Sequence, residues 1–309
     1  MLHYEREDEN ARSVRTVPNG YPITAKGSQF EQIPFYVITV NHQSEHYVEQ
    51  LILSLTVVKN LKGLVIVDHS GTVRQETLRA DFPIKVLVQH NKGYAAGLNK
   101  GISQILEPDA VVLLCNPDIK ILTPHTVQEV VTYLNKNRHV GCVVPTIVNR
   151  KLERITSCRK FYTLKTLIAS RLPWLKRNPP AFLKEHLGVD SQYSRPYAVD
   201  WGCGAAMFFR AELLRKKVAF DERFFLYFED VDICTQLWQN GLSIMCHPDI
   251  LLHHHERRQS QRQLYYFLVH VSSLIKYALK YRGLPTRDDL LLGAQNEHMS
   301  HLLPQTAIE

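Results

Sequence analysis

Residues 111–121, VVLLCNPDIKI, run five apolar positions into Asn116-Pro117-Asp118 and then turn apolar again. An ionised carboxylate is costly to bury, so Asp118 needs a partner. The plain partner is the helix that should begin near Thr123, which a strand-end acid would cap. The chemical one is a divalent cation. Hard cations take oxygen ligands and share them with substrate phosphates, and Mn²⁺ also accepts imidazole. His253, His254 and His255 are candidates for that second ligand, set against a solvated basic loop. Glu229, Asp230 and Asp232 follow the aromatic run Phe224-Phe225-Leu226-Tyr227-Phe228. Acids are favoured in a helix's first turn, which accounts for one or two of them. A carboxylate held beside so much apolar surface also has its pKa raised, which suits a general base. Asp68 could accept a hydrogen bond from a base or ribose. Asn91 and Gly93 could let the backbone approach a nucleotide. Taken singly, each of these also suits a turn or a cap.

The elements that must position these groups alternate. FYVITVN (35–41), GLVIVDHSG (63–71), IKVLVQHNKG (84–93) and AVVLLCNPD (110–118) are apolar runs that end on polar residues. Between and after them, 46–58, 72–81, 94–106 and 123–137 are predicted helices, the last with Thr123 as N-cap and Pro124 at its first position. Four strand–helix alternations predict a parallel, doubly wound α/β sheet, and continuous apolar strands fit burial on both faces. Ligands bind such sheets at the carboxyl ends of the strands, where Asn41, Asp68, Asn91 and Asp118 would meet. Neither GxGxxG nor GxxxxGKS occurs, so the usual dinucleotide fingerprint and the P-loop are excluded.

The second half differs. Residues 159–184 are basic and aromatic and are broken by Pro179-Pro180. Their alternatives are an ordinary helical insertion or a membrane-surface segment, with Trp174 and Phe182 among headgroups and Arg171, Lys176, Arg177 and Lys184 facing anionic lipid. VDWGCGAAMFFRAELL (199–214) carries Gly202 and Gly204. A helix from Glu229 or Asp230 should stop at Gly241 as C′. Residues 242–258 read as a strand, a turn and the histidines. The final helix, 263–281, is amphipathic through Leu264, Phe267, Leu268, Val271, Ile275 and Ala278. The expected organisation is a loose extension (1–33), a half of alternating strands and helices (34–150), a differently patterned half (151–258) and a C-terminal helix with its tail (259–309).

Of 309 residues, 45% are hydrophobic and 22% charged, which suits a packed core; the net charge of +7 suits an anionic ligand or surface. Nucleic-acid binding has only that charge in its favour, with no recognition motif. The six cysteines form no CxxC pair and read as reduced core residues of a cytoplasmic protein. The charged start is no signal peptide. No apolar run reaches the roughly 20 residues of a membrane span, so membrane contact would be peripheral.

The series ITVNHQS, LVIVDHSG, HNKGYAAGLNKGI, LLCNPDI, VDWGCGAAMFFR, FDERFFLYFEDVDIC and HHHERRQS resembles the family 2 glycosyltransferases, the inverting GT-A group. It is most similar to bacterial rhamnosyltransferases of cell-surface polysaccharide assembly, such as that of lipopolysaccharide O-antigen. The resemblance covers roughly 35–280 and rests on the order and spacing of seven motifs. It implies that Asp68 contacts the nucleotide base and that Asn41 and Asn91 line its pocket. Asn116-Pro117-Asp118 stands where the family has a DxD metal motif, so Asp118 would bind Mg²⁺ or Mn²⁺ and the donor diphosphate. Asn116 replaces the first acid. Asp230 stands at the catalytic aspartate with Glu229 in support, and His255, then His254, stands at the histidine that completes the metal site. GLN at 97–99 departs from the more usual GNN. Gly204, within 202–206, would allow donor or acceptor to approach closely.

The implied reaction moves a sugar, L-rhamnose from dTDP-rhamnose, from a dTDP- or UDP-linked donor to a hydroxyl of a glycan or lipid-linked glycan, inverting configuration in one displacement. No Ser or Cys nucleophile is then expected. Two other classes stay open. A sugar-phosphate nucleotidyltransferase would carry a Gly-rich basic phosphate loop near its N-terminus, and none is seen. An inactive glycan- or nucleotide-binding relative would lack transfer despite Asp118, Asp230 and the histidines.

Overall fold

The computed structural model describes residues 33–188, 195–255 and 264–302. They belong to one unit, Gln32–Glu309. The expected loose extension, the Glu256-Arg257-Arg258 motif and the last residues of the tail lie outside the described residues. In chain order the first half holds β1 (Phe35–Asn41), α1 (Glu45–Leu55), β2 (Leu61–Asp68), β3 (Ile84–Val88), α2 (Tyr94–Ile102), β4 (Val111–Cys115), β5 (Ile119–Ile121), α3 (Pro124–Lys136) and β6 (Val140–Val148). The second half holds β7 (Cys158–Arg159), α4 (Leu164–Ala169), α5 (Pro173–Arg177), α6 (Ala181–Leu187), β8 (Tyr197–Val199), β9 (Trp201–Gly202), β10 (Ala206–Arg210), α7 (Ala211–Lys216), α8 (Glu229–Gln239), β11 (Ser243–His254), α9 (Leu264–Lys280) and α10 (Arg287–Leu302).

A nine-stranded sheet runs β3-β2-β1-β4-β10-β6-β11-β5, with β8 beside β11. Strands β3, β2, β1 and β4 are parallel, and β10 enters antiparallel between β4 and β6. Alternation along β1 explains the two cores. Ile38 and Val40 face a cluster with Leu98 of α2 and Leu237 of α8. Phe35 and Val37 face one with Leu51 of α1 and Val131 of α3. The expected doubly wound sheet is present, with helices on both faces. All six cysteines are free, and only Cys203 is less than fully buried.

Three local expectations are corrected. Residues 72–81 form no α-helix, only a 3₁₀ turn at Gln75–Thr77. This stretch buries little beyond Val73, and short helices need tertiary packing. The Val73 N–H is moreover taken by Asp68 Oδ2 at 2.8 Å. Thr123 is the N-cap residue of α3 and Pro124 its first position, as expected, but the Thr123 hydroxyl makes no capping bond; it accepts instead from the Leu251 N–H, at 2.9 Å. Residues 243–254 are one strand and not a strand and turn. Its pairing to β6 jumps between His247 and Leu251, so Pro248-Asp249-Ile250 is a bulge. Gly241 is the C′ residue of α8 as expected, with φ +68°, and Leu242 N–H closes on Leu237 O at 2.9 Å.

Candidate active site

The parallel strands bring Asn41 and Asp68 into register. Asp68 is fully buried. Its Oδ1 accepts from Asn41 Nδ2 at 2.9 Å, Ser70 N at 3.0 Å and Ser70 Oγ at 2.8 Å, while Oδ2 accepts from Val73 N. Burial pushes the carboxyl up, but the donors together outweigh it and hold the pKa below the usual value. Asn41 Oδ1 in turn accepts from Ser44 N at 3.1 Å. Asn91 Oδ1 accepts from Gly93 N at 3.0 Å, an Asx-type turn. Gly93 has φ +105°, and a Cβ there would meet the Phe225 backbone at 2.7 Å. The close approach that Gly93 admits in the structure is therefore that of the 225 loop, fixed by Tyr94 N–H to Phe225 O at 2.8 Å. His69 was not singled out in the sequence. Its side chain is half-buried beside Asp68, and its buried Nε2 lacks a hydrogen-bond partner among the described residues.

At the end of β4 the chain turns sharply through Asn116 to Asp118 and enters β5, which pairs Ile119 with His254. His254 Nε2 lies 3.3 Å from Asp118 Oδ1 and 3.4 Å from Asn116 Nδ2. His255 touches Asp118 through its backbone, its N–H donating to Asp118 O at 3.1 Å. Its ring stands 4.3 Å from that of His253 and faces Arg150. Strand alternation thus sends His254 one way and the other two histidines the other. The structure brings His254, rather than His255, to the Asp118 carboxylate. Burial and then the neighbouring cations and histidines lower the pKa of His253 and of His255.

Among the described residues no Lys or Arg is ion-paired with Asp118, and no three His, Cys, Asp or Glu side chains converge on a metal position. A carboxylate oxygen and an imidazole nitrogen are nonetheless a donor pair that suits Mn²⁺. Their separation is close to the roughly 3 Å between adjacent ligands of one small octahedral ion. The pair fits a cation whose other ligands come from substrate and water.

The third component is the start of α8. Tyr227 and Phe228 both take positive φ, 67° and 68°, a strained conformation for bulky residues. They aim Glu229 and Asp230 back toward the strand ends. Asp230 Oδ2 accepts from Gly204 N at 2.9 Å and Oδ1 from Val231 N at 2.9 Å. A Cβ on Gly204 would stand 3.1 Å from Asp230 Cβ, so any other residue at 204 would press the carboxylate aside by a few tenths of an ångström. Burial raises the pKa of Asp230, against the pull of these N–H groups and of Arg159. Glu229 is buried, its Oε2 lacks a partner among the described residues, and burial followed by Asp230's charge pushes its pKa well up. Asp232 separates from the other two. It is fully buried, bound by Lys280 Nζ at 2.6 Å, Tyr281 OH at 2.8 Å and Gln236 Nε2 at 2.7 Å, and so anchors α9.

The 203–205 loop joins these components. Gly204 N–H holds Asp230, Ala205 O accepts from Asn116 N at 2.9 Å, and Tyr94 OH reaches Gly204 O at 3.4 Å. Tyr94 and Arg159 are site residues that the sequence does not reveal. Arg159 lies over the Trp201 ring at 5.1 Å, brought there by β7–β9 pairing. The Cys203 thiol is pushed up to about 11 by burial and then by Asp230, so it is neutral and a poor nucleophile. A cleft of about 650 Å³, lined by Lys160, Lys184, Tyr197, Asp200 and Arg287, meets this site only through Arg159.

The family model described as "Glycosyl transferase family 2" matches residues 36–210, ending before Asp230 and His254. The chain is 25% identical over 272 residues to "Rhamnosyltransferase WbbL" of Escherichia coli (strain K12), covering 82% of this chain and 96% of that protein. It is 25% identical over 235 residues to "N-acetylglucosaminyl-diphospho-decaprenol L-rhamnosyltransferase" of Mycobacterium tuberculosis (strain ATCC 25618 / H37Rv), covering 70% and 75%. Among solved structures, mannosyltransferase PcManGT from Pyrobaculum calidifontis, in complex with GDP-Man and Mn²⁺, superposes with a TM-score of 0.54 at 16% identity, over 87% of this chain and 70% of that one. GalNAc-T7 with UDP, GalNAc and Mn²⁺ gives 0.55 at 14%, over 87% of this chain and 58% of that one. These likenesses speak for the GT-A fold alone. With a family match over more than half its length, the chain belongs to glycosyl transferase family 2.

Proposed function

We propose that this glycosyltransferase moves L-rhamnose from dTDP-rhamnose to a hydroxyl of a glycan or lipid-linked glycan, with inversion at the anomeric carbon. One observation carries the reading. Gly204 N–H holds Asp230 while the adjacent Ala205 O holds the Asn116 backbone, so a single loop sets the carboxylate against the Asp118–His254 pair. The names of the two rhamnosyltransferase relatives support the choice of sugar.

In this reading residues 34–150 form the donor half and 151–258 the acceptor half. Asp68 and Asn41 form the floor of the base pocket. Asn91, Gly93 and Asn116 flank the nucleotide. Asp118 and His254 would hold Mg²⁺ or Mn²⁺, with His255 as the alternative imidazole; a cation there offsets the charge of the departing diphosphate. Asp230 takes the proton from the acceptor hydroxyl, and that oxygen attacks the anomeric carbon from the face opposite the nucleotide. Burial makes Asp230 a stronger base. Burial raises Glu229 as well, while Arg159 and the Gly204 and Val231 N–H groups favour the ionised form of Asp230.

The test is incubation with dTDP-rhamnose, Mn²⁺ and a soluble glycoside, with the product's anomeric configuration read by NMR. Release of dTDP with an inverted product supports the proposal. A retained configuration removes Asp230 from the role of base in a single displacement. Donor binding without turnover assigns the protein to the inactive, binding class.

A further inference from the structure

α9 is amphipathic, as its sequence predicts, but its apolar stripe faces outward. Leu264, Leu268, Ile275 and Leu279 are 73%, 56%, 53% and 74% exposed. Their helical angles fall within one face of the cylinder. The opposite face is the buried one and carries Ser273 and Tyr277, whose hydroxyls reach Leu226 O at 2.9 Å and Thr235 Oγ1 at 2.7 Å. These hydroxyls, with the Tyr277 ring and Leu274 packed against the core, fasten the helix inward, while Leu264, Leu268, Ile275 and Leu279 are left in solvent. A second exposed apolar group adjoins them. Ile168 of α4 and Trp174 of α5 are 57% and 65% exposed. Arg171, between these helices, lies over the Phe267 ring at 5.4 Å and donates to His270 Nδ1 at 2.7 Å. The α4–α5 segment and the start of α9 are therefore one continuous surface.

Charge selects what covers it. Residues 159–184 contain seven Lys or Arg and no acid, and 264–282 contain three and no acid. Lys280 is paired inward with Asp221 and Asp232, but Lys165, Arg171, Arg177, Lys276 and Arg282 are exposed. A second copy docking through this face in two-fold symmetry would set these cations against their own images. An anionic bilayer is complementary to both the stripe and the charge. A span is excluded, because no helix among the described residues is long and apolar enough to cross a membrane.

We infer that the outward face of α9, together with Ile168 and Trp174, docks this protein on an anionic lipid surface. The helix lies in the interface with its Leu/Ile stripe among the acyl chains and its cations at the headgroups. Ser273 and Lys276 bind the backbone of the loop that leads to Asp230, at Leu226 O and Arg223 O. Docking therefore fixes the orientation of that loop with respect to the bilayer. The inference concerns a surface outside the catalytic residues and stands whether or not rhamnose is the sugar transferred.

The experiment is co-sedimentation of the full chain with phosphatidylcholine vesicles, with and without phosphatidylglycerol. The wild type should bind only the anionic vesicles, and added salt should release it. Leu268→Glu with Ile275→Glu should weaken binding at least roughly tenfold. Leu264→Gln with Leu279→Gln, at the two most exposed positions, repeats the test with a milder change should the first pair disturb folding, as judged by circular dichroism. Nucleotide binding, measured on the same samples without lipid, should be unchanged in both, which keeps a failure of docking separate from a failure of the proposed reaction. A wild type that stays in the supernatant overturns the inference. So does binding that both stripe variants retain. A dimer in sedimentation equilibrium that the stripe variants dissociate would assign the face to a second copy instead.

Discussion

Two buried carboxylate sites at the same edge of the sheet are treated in opposite ways. Asp68 accepts four hydrogen bonds from Asn41, Ser70 and Val73 and is held ionised below its usual range. Asp230 accepts from the Gly204 and Val231 N–H groups, Glu229 has one oxygen lacking a partner among the described residues, and both are pushed up. Both sites lose hydration on folding; the donors around Asp68 outweigh that loss, whereas at Glu229 the charge of Asp230 adds to it. A saturated carboxylate is a fixed negative fixture, suited to orienting a neutral base or ribose. An under-supplied pair keeps a proton within reach, which a general base requires.

The largest expected effect breaks the second site. Asp230→Asn keeps shape and burial but removes the base, so kcat should fall by roughly 10²–10⁴, with donor affinity intact. An equal loss in both would mean that Asp230 binds the donor instead. Next, His254→Ala should weaken metal-dependent donor binding at least roughly tenfold, and His255→Ala should not. The reverse order would restore the histidine that the sequence resemblance prefers. Gly204→Ala places a Cβ 3.1 Å from Asp230 Cβ. Displacing the carboxylate by a fraction of an ångström should lower kcat up to about 100-fold with little change in stability. At the saturated site the cost should fall on folding. Asp68→Ala orphans several donors and should lose about 1–3 kcal/mol in urea unfolding.

The smallest effect tests the sign of the comparison directly. Asp68 is lowered in the folded state, so its stabilisation is full above its ordinary 3.8 and is lost as pH falls through the folded value. Glu229 is raised, so its contribution is full below its ordinary 4.5 and is lost as pH rises through the folded value. Urea unfolding across pH should show Asp68→Asn flattening the acid limb. Glu229→Gln should gain on the wild type as pH rises.

The sheet was legible because β1, β2 and β4 are continuous apolar runs that both cores demand, and strand ends could be read from where the runs stop. The acidic cluster was legible as a group. Its division was not, because Lys280 and Tyr281, which claim Asp232, arrive from a helix some 50 positions away. The choice between His254 and His255 depends on strand alternation. Reading Pro248-Asp249 as a turn ended the strand before the histidines and hid that alternation. Residues 72–81 failed as a helix because polar spacing alone supplies no buried face. The α9 stripe was visible in its periodicity, yet periodicity cannot say which face the core covers; the covered face is the one on which the Tyr277 ring and Leu274 pack against the core and Ser273 bonds Leu226 O. Tyr94 and Arg159 join the site only through nonlocal pairing.

The measurement that bears most directly on the account is thermal melting against a panel of nucleotide sugars, with and without Mn²⁺, for the wild type and Asp118→Ala. Binding to the native state raises the melting temperature by mass action. A rise with dTDP-rhamnose that needs Mn²⁺ and disappears in Asp118→Ala is the predicted result. A rise that survives in the variant would contradict it, leaving the nucleotide pocket in place and returning Asp118 to a capping role at the end of its strand.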